Sequence, residues 1–205
     1  MTGKPTHPLP KRGYLAVIGY RPIIVADVAT VAHIHAMSWG SAYRGILPDA
    51  YLDHQVDEDR LVHWQDRLSE PSANDVGMLA LQDGKAVGFA FAIKDDHEHW
   101  GSMLDNLHVL PQVRGSGIGR GLIRELVARL VHAGSTSGLH LWVYDANREA
   151  RRFYEALGGR IFHTEVVDTA GGARAKAHVY GWASLQELGE LLQRAETPLW
   201  GGNTR

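Results

Sequence analysis

The sequence predicts an α/β (α+β) fold, a mixed sheet flanked by helices, in one domain. Three observations carry this. Segments of helical periodicity alternate with short apolar runs of strand character. Two pairs of these runs are joined by tight turns at Asp83-Gly84 and Gly171-Gly172, which makes those pairs antiparallel, while other runs are separated by helices long enough for crossovers. The composition, 44% hydrophobic and 21% charged over 205 residues, is that of a packed chain of ordinary domain size.

In chain order, residues 1–13 are rich in proline and polar side chains and read as a loose arm. A single domain is expected over 14–195 and a tail over 196–205. Lys4, Lys11 and Arg12 precede a short apolar run, but Gly19 breaks it and Arg21-Pro22 follows without a small-residue cleavage site, so it is read as a strand, 15–24, and not as a signal peptide. Asp27 is placed to cap a helix running to Trp39. Residues 38–53 read as irregular, with Trp39, Tyr43 and Tyr51 beside Gly45 and Pro48; these aromatics either line a pocket or plug the edge of the core. A second helix spans 57–68. Strands at 76–82 and 85–93 flank Asp83-Gly84, a polar loop spans 94–100, and a strand at 102–110 is stopped by Pro111.

A helix over 117–132 carries Ile118, Leu122, Leu126 and Leu130 on one face. A short apolar strand spans 139–144. The helix at 147–157 ends at Gly158-Gly159. Strands at 160–168 and 174–182 and a helix at 185–194 complete the order.

Composition excludes several functions. The formal net charge of -2 gives no electrostatic footprint for nucleic acid. No apolar run approaches the roughly 18 residues that span a bilayer, so no membrane partner is expected. The chain has no cysteine, which removes disulfides, thiolate metal sites and an acyl-cysteine intermediate, and fits a cytoplasmic location. Among the 12 histidines, His97 and His99 lack the helical spacing of a zinc pair, and His33 and His35 face different ways on a helix, so no metal is expected.

The most informative stretch lies between strand 102–110 and helix 117–132. Gly115, Gly117, Gly119 and Gly121 fall on alternate positions, with Arg114 and Arg120 among them. Glycines bring backbone N–H groups close to an anion, and the helix that follows aims its positive end at the same place. The spacing is not Gly-x-Gly-x-x-Gly, because Arg120 and Leu122 occupy the third glycine position in the two registers. It is not a P-loop either, because Arg120 again stands where a glycine is required.

Arg114-Gly115-Ser116-Gly117-Ile118-Gly119 instead resembles the Arg/Gln-x-x-Gly-x-Gly/Ala loop of the GNAT superfamily of acyl-CoA N-acyltransferases. Upstream, Leu107-His108-Val109 resembles that family's bulged fourth strand. Downstream, residues 147–158, NREARRFYEALG, resemble its Asn-x-x-Ala-x-x-Phe-Tyr-x-x-x-Gly segment. Residues 39–53 look like the acceptor-side loop of bacterial members. Gly158-Gly159 departs from the Gly-Phe that many members carry there.

The resemblance implies a mostly antiparallel sheet with a splay between strands 4 and 5, and acetyl-CoA as co-substrate without a metal. Backbone N–H groups of Gly115, Ser116, Gly117, Ile118, Gly119 and Arg120, with the charges of Arg114 and Arg120, would hold the pyrophosphate. A bulge near residues 107–109 would free backbone groups of Leu107, His108 and Val109 for the pantetheine arm, and the N–H of Val109 or Leu107 would polarise the thioester carbonyl. Asn147 would contact the same arm, or act as a helix cap, or both. Tyr154, two helical turns on, would serve as general acid toward the thiolate.

The base is open among Asp105, His108, Glu98, His99 and a water chain. Trp39, Tyr43 and the 94–100 loop are candidates for the acceptor pocket. The reaction implied is direct acetyl transfer to a primary amine of a small molecule, peptide or protein. The alternative is a non-catalytic acyl-CoA-binding or regulatory module on the same scaffold. A homodimer, common in the family, is a further implication.

Overall fold

The computed structural model describes residues 16–194; the arm expected at 1–13 and the tail expected at 196–205 lie outside the described residues. The elements are β1 (Ile18–Pro22), α1 (Val28–Ala42), α2 (Asp49–His54), α3 (Val56–Ser69), β2 (Asp75–Gln82), β3 (Lys85–His97), β4 (Gly101–Val109), α4 (Ile118–His132), β5 (Leu139–Tyr144), α5 (Arg148–Ala156), β6 (Arg160–Asp168), β7 (Arg174–Trp182) and α6 (Leu185–Arg194). The seven strands form one sheet in the order β1-β2-β3-β4-β5-β7-β6. Every neighbouring pair is antiparallel except β4 and β5.

Two apolar layers sandwich this sheet. Leu122, Leu126 and Leu130 of α4 pack with Leu188 and Leu192 of α6 on Ala90, Leu139, Leu141 and Tyr180. On the other face Val31 and Ile34 of α1 and Trp64 and Leu68 of α3 pack on Leu79, Phe89 and Phe91. The two-residue turn between β2 and β3 has Asp83 at φ 50° and Gly84 at φ 79°, the backbone that such hairpins require.

The sheet parts in its middle. β4 and β5 share only two registered pairs, Ser102↔Leu139 and Met103↔His140, and diverge beyond them. The closed end is tightly held, because a Cβ on Gly101 would collide with the backbone of Gly138, and one on Gly138 with the carbonyl of Trp182. The bulge in β4 sits earlier than expected. Phe91 opposes Asn106 and Ala92 opposes Leu104, so Asp105 is the extra residue. Residues 107–109 lie beyond it in regular pairing with β3.

Three local expectations are corrected. Residues 38–42 continue α1 and 49–54 form α2, leaving 43–48 irregular. Residues 94–97 extend β3, because the Asp95 N–H donates to Ser102 Oγ at 3.1 Å and its carboxylate accepts from Ser135 at 2.5 Å, so polar side chains are satisfied on the strand. Asp27 does not cap α1 with its side chain; its carboxylate accepts from the Ile24 N–H at 2.9 Å and from both terminal nitrogens of Arg21.

Candidate active site

The splay opens into a groove of about 390 Å³ that runs from the diverging edge of β4 to the N-terminus of α4. Its floor is set by strand parity. The Leu110 N–H donates to Val87 O at 2.9 Å, toward β3. Successive N–H groups of a strand alternate in direction, and the 107–109 register with β3 is unbroken, so the N–H groups of Leu107 and Val109 point the other way, into the splay. Arg114 Nε takes the Val109 carbonyl at 3.3 Å.

At the far end of the groove, Gly115 and Gly117 have φ of +76° and +85°, with open space where a Cβ would stand. Backbone conformation is therefore their requirement. Gly117 is the N-cap of α4, and the Gly121 N–H closes the first helical bond to the Gly117 carbonyl at 3.0 Å. The N–H groups of Ile118, Gly119 and Arg120 thus precede the helical ladder, a ready site for an anion. Ser116 tightens the turn by donating to Val113 O at 2.6 Å. Gly121 serves packing: a Cβ there would collide with the Tyr20 hydroxyl.

The two arginines are placed differently from each other. Arg114 lies in the groove wall and reaches Ser41 Oγ and Ser38 Oγ at 3.3 Å each. Arg120 also borders the groove, but its guanidinium donates to the Leu191 and Leu192 carbonyls of α6 at 2.8 and 3.3 Å. Its charge is committed to that helix end, which leaves the backbone N–H as its contribution to the loop.

Asn147 caps α5, its Oδ1 accepting from the Ala150 N–H at 3.2 Å, and it lines the groove with its amide nitrogen unused by the cap. Tyr154 stands on the same side of α5, as the seven-residue spacing requires, and also lines the groove. Burial raises its pKa, helped by neighbouring Tyr43, so the hydroxyl stays protonated across the working pH range. Gly158 follows α5 at φ +80°. At Gly159, the departure noted in the sequence, a Cβ would approach the Tyr154 carbonyl at 2.9 Å and the Trp182 ring at 3.0 Å. The indole of Trp182 occupies that side and donates to Leu157 O at 2.8 Å.

The base candidates separate. Glu98 and His99 sit in the β3–β4 turn, at the opposite end of β4 from the glycine loop. The 94–100 segment is engaged there, with Asp96 facing His140 at 3.6 Å, and it lines neither cavity. Asp105 accepts from Asn106 at 2.7 Å and feels the charges of Arg67 and His63. Water reaches it, yet protein crowds its carboxyl closely enough to raise the pKa. It too is absent from both cavity walls.

His108 does line the groove. Burial and the nearby Arg114 and Arg60 push its pKa down to about 3, so it is neutral at pH 7. It stacks on His35 at 4.3 Å and pairs through Nδ1 with Ser38 Oγ at 3.1 Å.

A second cavity of about 280 Å³ adjoins the first, sharing Tyr43, Trp142 and Val143 with it. Trp39, Tyr144, Val167 and Ala177 complete its wall. Trp39 and Tyr43, for which the sequence left a pocket and a core edge both open, line this cavity and also pack against the cluster of Ala36, Leu47, Tyr51, Leu52 and Val56. Trp142, Tyr144 and Ser38 were missed. The alternation of Trp142 and Tyr144 on one face of β5 was a usable signal, hidden because the strand reads as wholly buried.

A parallel pair that splays, outward N–H groups on its open edge and a glycine-capped helix at the end of the groove form one arrangement, and sequence comparison agrees with it. The profile of the Acetyltransferase (GNAT) family matches residues 39–159, more than half of the chain. The protein belongs to the GNAT acetyltransferase family. This GNAT acetyltransferase is 26% identical over 182 residues to an uncharacterized N-acetyltransferase, YuaI, of Bacillus subtilis, covering 87% of this chain and 100% of that one.

Among solved structures it is similar to the PaiA N-acetyltransferase of Thermoplasma acidophilum in complex with coenzyme A, with TM-score 0.64 and 19% identity over 82% of this chain and 99% of that one. It is likewise similar to yncA of Salmonella typhimurium, a putative acetyltransferase with acetyl-CoA, with TM-score 0.59 and 18% identity over 82% and 94% of the two chains. The expectations of a GNAT fold and of an acyltransferase are therefore met.

Proposed function

We propose that this GNAT acetyltransferase moves the acetyl group of acetyl-CoA directly to a primary amine in a ternary complex. The observation that carries this is the continuity of the two cavities at Tyr43, Trp142 and Val143, with Tyr154 in the wall of the first. The groove suits the donor. N–H groups at the start of α4 and in the glycine loop match a pyrophosphate, Arg114 adds a charge, and Asn147 and the outward N–H groups of β4 match the amides of the pantetheine arm. Coenzyme A and acetyl-CoA in the related structures support that assignment.

The amine would attack from the second cavity. The Val109 or Leu107 N–H would stabilise the oxyanion of the tetrahedral intermediate. Tyr154 would donate to the departing thiolate. An ordinary thiol pKa is about 8.5, and that of Tyr154 is raised above the usual tyrosine value, so hydrogen-bond donation is the larger part of its role and complete proton transfer the smaller. A cytoplasmic location belongs to the same reading.

Titration calorimetry with acetyl-CoA, followed by a thiol-release assay with a panel of amines, tests the proposal. Binding followed by thiol release dependent on one class of amine is the expected result. Binding without release for any amine would instead establish the acyl-CoA-binding module.

A further inference from the structure

The second cavity has a chemistry of its own. Its walls are Trp39, Tyr43, Tyr144 and Trp142 with the aliphatic side chains of Val143, Val167 and Ala177. Tyr43 stands edge-on to Trp39 with ring centroids 5.3 Å apart and edge-on to Tyr144 at 5.5 Å. Among the described residues that line it, none carries a charge. The two tyrosine hydroxyls are held protonated by burial.

A guanidinium already sits near this wall. Arg60 lies over the Trp39 ring, its carbon 4.5 Å from the centroid. It takes up one face of the indole, and its positive charge beside the wall disfavours a second cation there. At about 280 Å³ the cavity suits one aromatic ring with a short substituent.

The walls also hold few proton acceptors. Asp105, Glu98 and His99 border neither cavity, and Glu149, the carboxylate of the groove, stands beside Arg114 at 3.9 Å on the glycine-loop side. His108, the imidazole in the groove, is paired with Ser38 and is a weak base. An alkyl ammonium, with a pKa near 10.4, must lose a proton before it can attack. Among the described side chains that line the two cavities, none is a good destination for that proton.

We infer that the acceptor is a small arylamine, an amino group borne on an aromatic ring, seated between Trp39, Tyr43 and Trp142. Such an amine is neutral at pH 7 and needs no base before attack. The balance closes within the two cavities: the nitrogen lone pair forms the C–N bond, the C–S bond breaks, and the proton released by nitrogen ends on the sulfur of coenzyme A. The products are an N-aryl acetamide and free coenzyme A. This inference rests on the acetyltransferase reading above and on the second cavity being its acceptor side.

The test compares aniline, benzylamine and spermidine as acceptors at pH 7, with thiol release as the readout and acetyl-CoA binding followed by calorimetry. Aniline should exceed both others in kcat/KM by at least tenfold, and its rate should be flat between pH 7 and 9 while the benzylamine rate rises. Equal or better turnover of benzylamine or spermidine overturns the arylamine assignment and leaves the acetyltransferase reading intact. Acetyl-CoA binding with no turnover of any amine overturns both. Val167→Asp places a carboxylate in a half-exposed position of the cavity wall. It should swing the aniline-to-benzylamine ratio toward benzylamine by tenfold; an unchanged ratio would show that the acceptor sits elsewhere.

Discussion

Tyr154 shows how far a single residue can be read before its surroundings are known. Its seven-residue distance from Asn147 put both on one side of α5, and both border the groove. What spacing could not supply was the environment: a buried ring among Phe153, Tyr180 and Trp182, with Tyr43 close enough to raise its pKa further. Arg120 is the opposite case. Its place in the glycine loop suggested a phosphate ligand, but its guanidinium is spent on the carbonyls of α6, a partner 71 residues away that no local pattern reveals. In the proposed mechanism, removing the Tyr154 hydroxyl would take away an interaction made mainly as the thiolate departs. Tyr154→Phe should therefore lower kcat by roughly tenfold or more, with little change in the KM for acetyl-CoA. Steady-state kinetics with saturating acceptor decide it, and an unchanged kcat would remove the residue from the chemistry.

At the scale of elements, the regular pieces were legible because each carries its own periodicity or punctuation. The Asp83-Gly84 turn and strands β5, β6 and β7 follow local pattern closely. The β4 bulge at Asp105 was misplaced because a bulge is a relation between two strands, and one strand's residues do not encode its partner's register. The packing of β4 on α1 was illegible for the same reason. There His108 stacks on His35, which accepts from Trp64 Nε1 at 2.9 Å.

That stack has a pH consequence. Burial holds both imidazole pKa values below the ordinary 6.5, His108 down to about 3. The unfolded chain then binds more protons than the native one as pH falls through 6.5, so stability is present above that pH and lost below it. The loss is about 1.4 kcal/mol per pH unit for each histidine. Urea denaturation should show wild type less stable at pH 5 than at pH 7 by several kcal/mol. His108→Asn, which can still pair with Ser38, should lose about 2 kcal/mol less over the same interval. Identical losses in the two proteins would mean that His108 is not held neutral.

The whole molecule is two half-sheets, β1 to β4 and β5-β7-β6, joined through two residue pairs and by the packing of α4 and α6 across them. The groove lies at their join, and its walls come from both: Leu107 and Val109 from one, Trp142 and Val143 from the other, with Tyr154 of α5 beside them. A ligand in the groove replaces the contacts that the splay gives up, so binding and the cohesion of the halves are linked. Coenzyme A at one hundred times its dissociation constant should add about 2.7 kcal/mol. For a chain of this size that raises Tm by roughly 5–10 °C. If the glycine loop supplies most of the hold, pantetheine at the same concentration, lacking the pyrophosphate, should raise Tm far less. Gly117→Ala, which asks an alanine to adopt φ +85°, should shrink the coenzyme A shift and leave the smaller pantetheine shift unchanged. Equal shifts from coenzyme A and pantetheine in the wild-type protein would place the binding energy in the splay and not at the helix N-terminus.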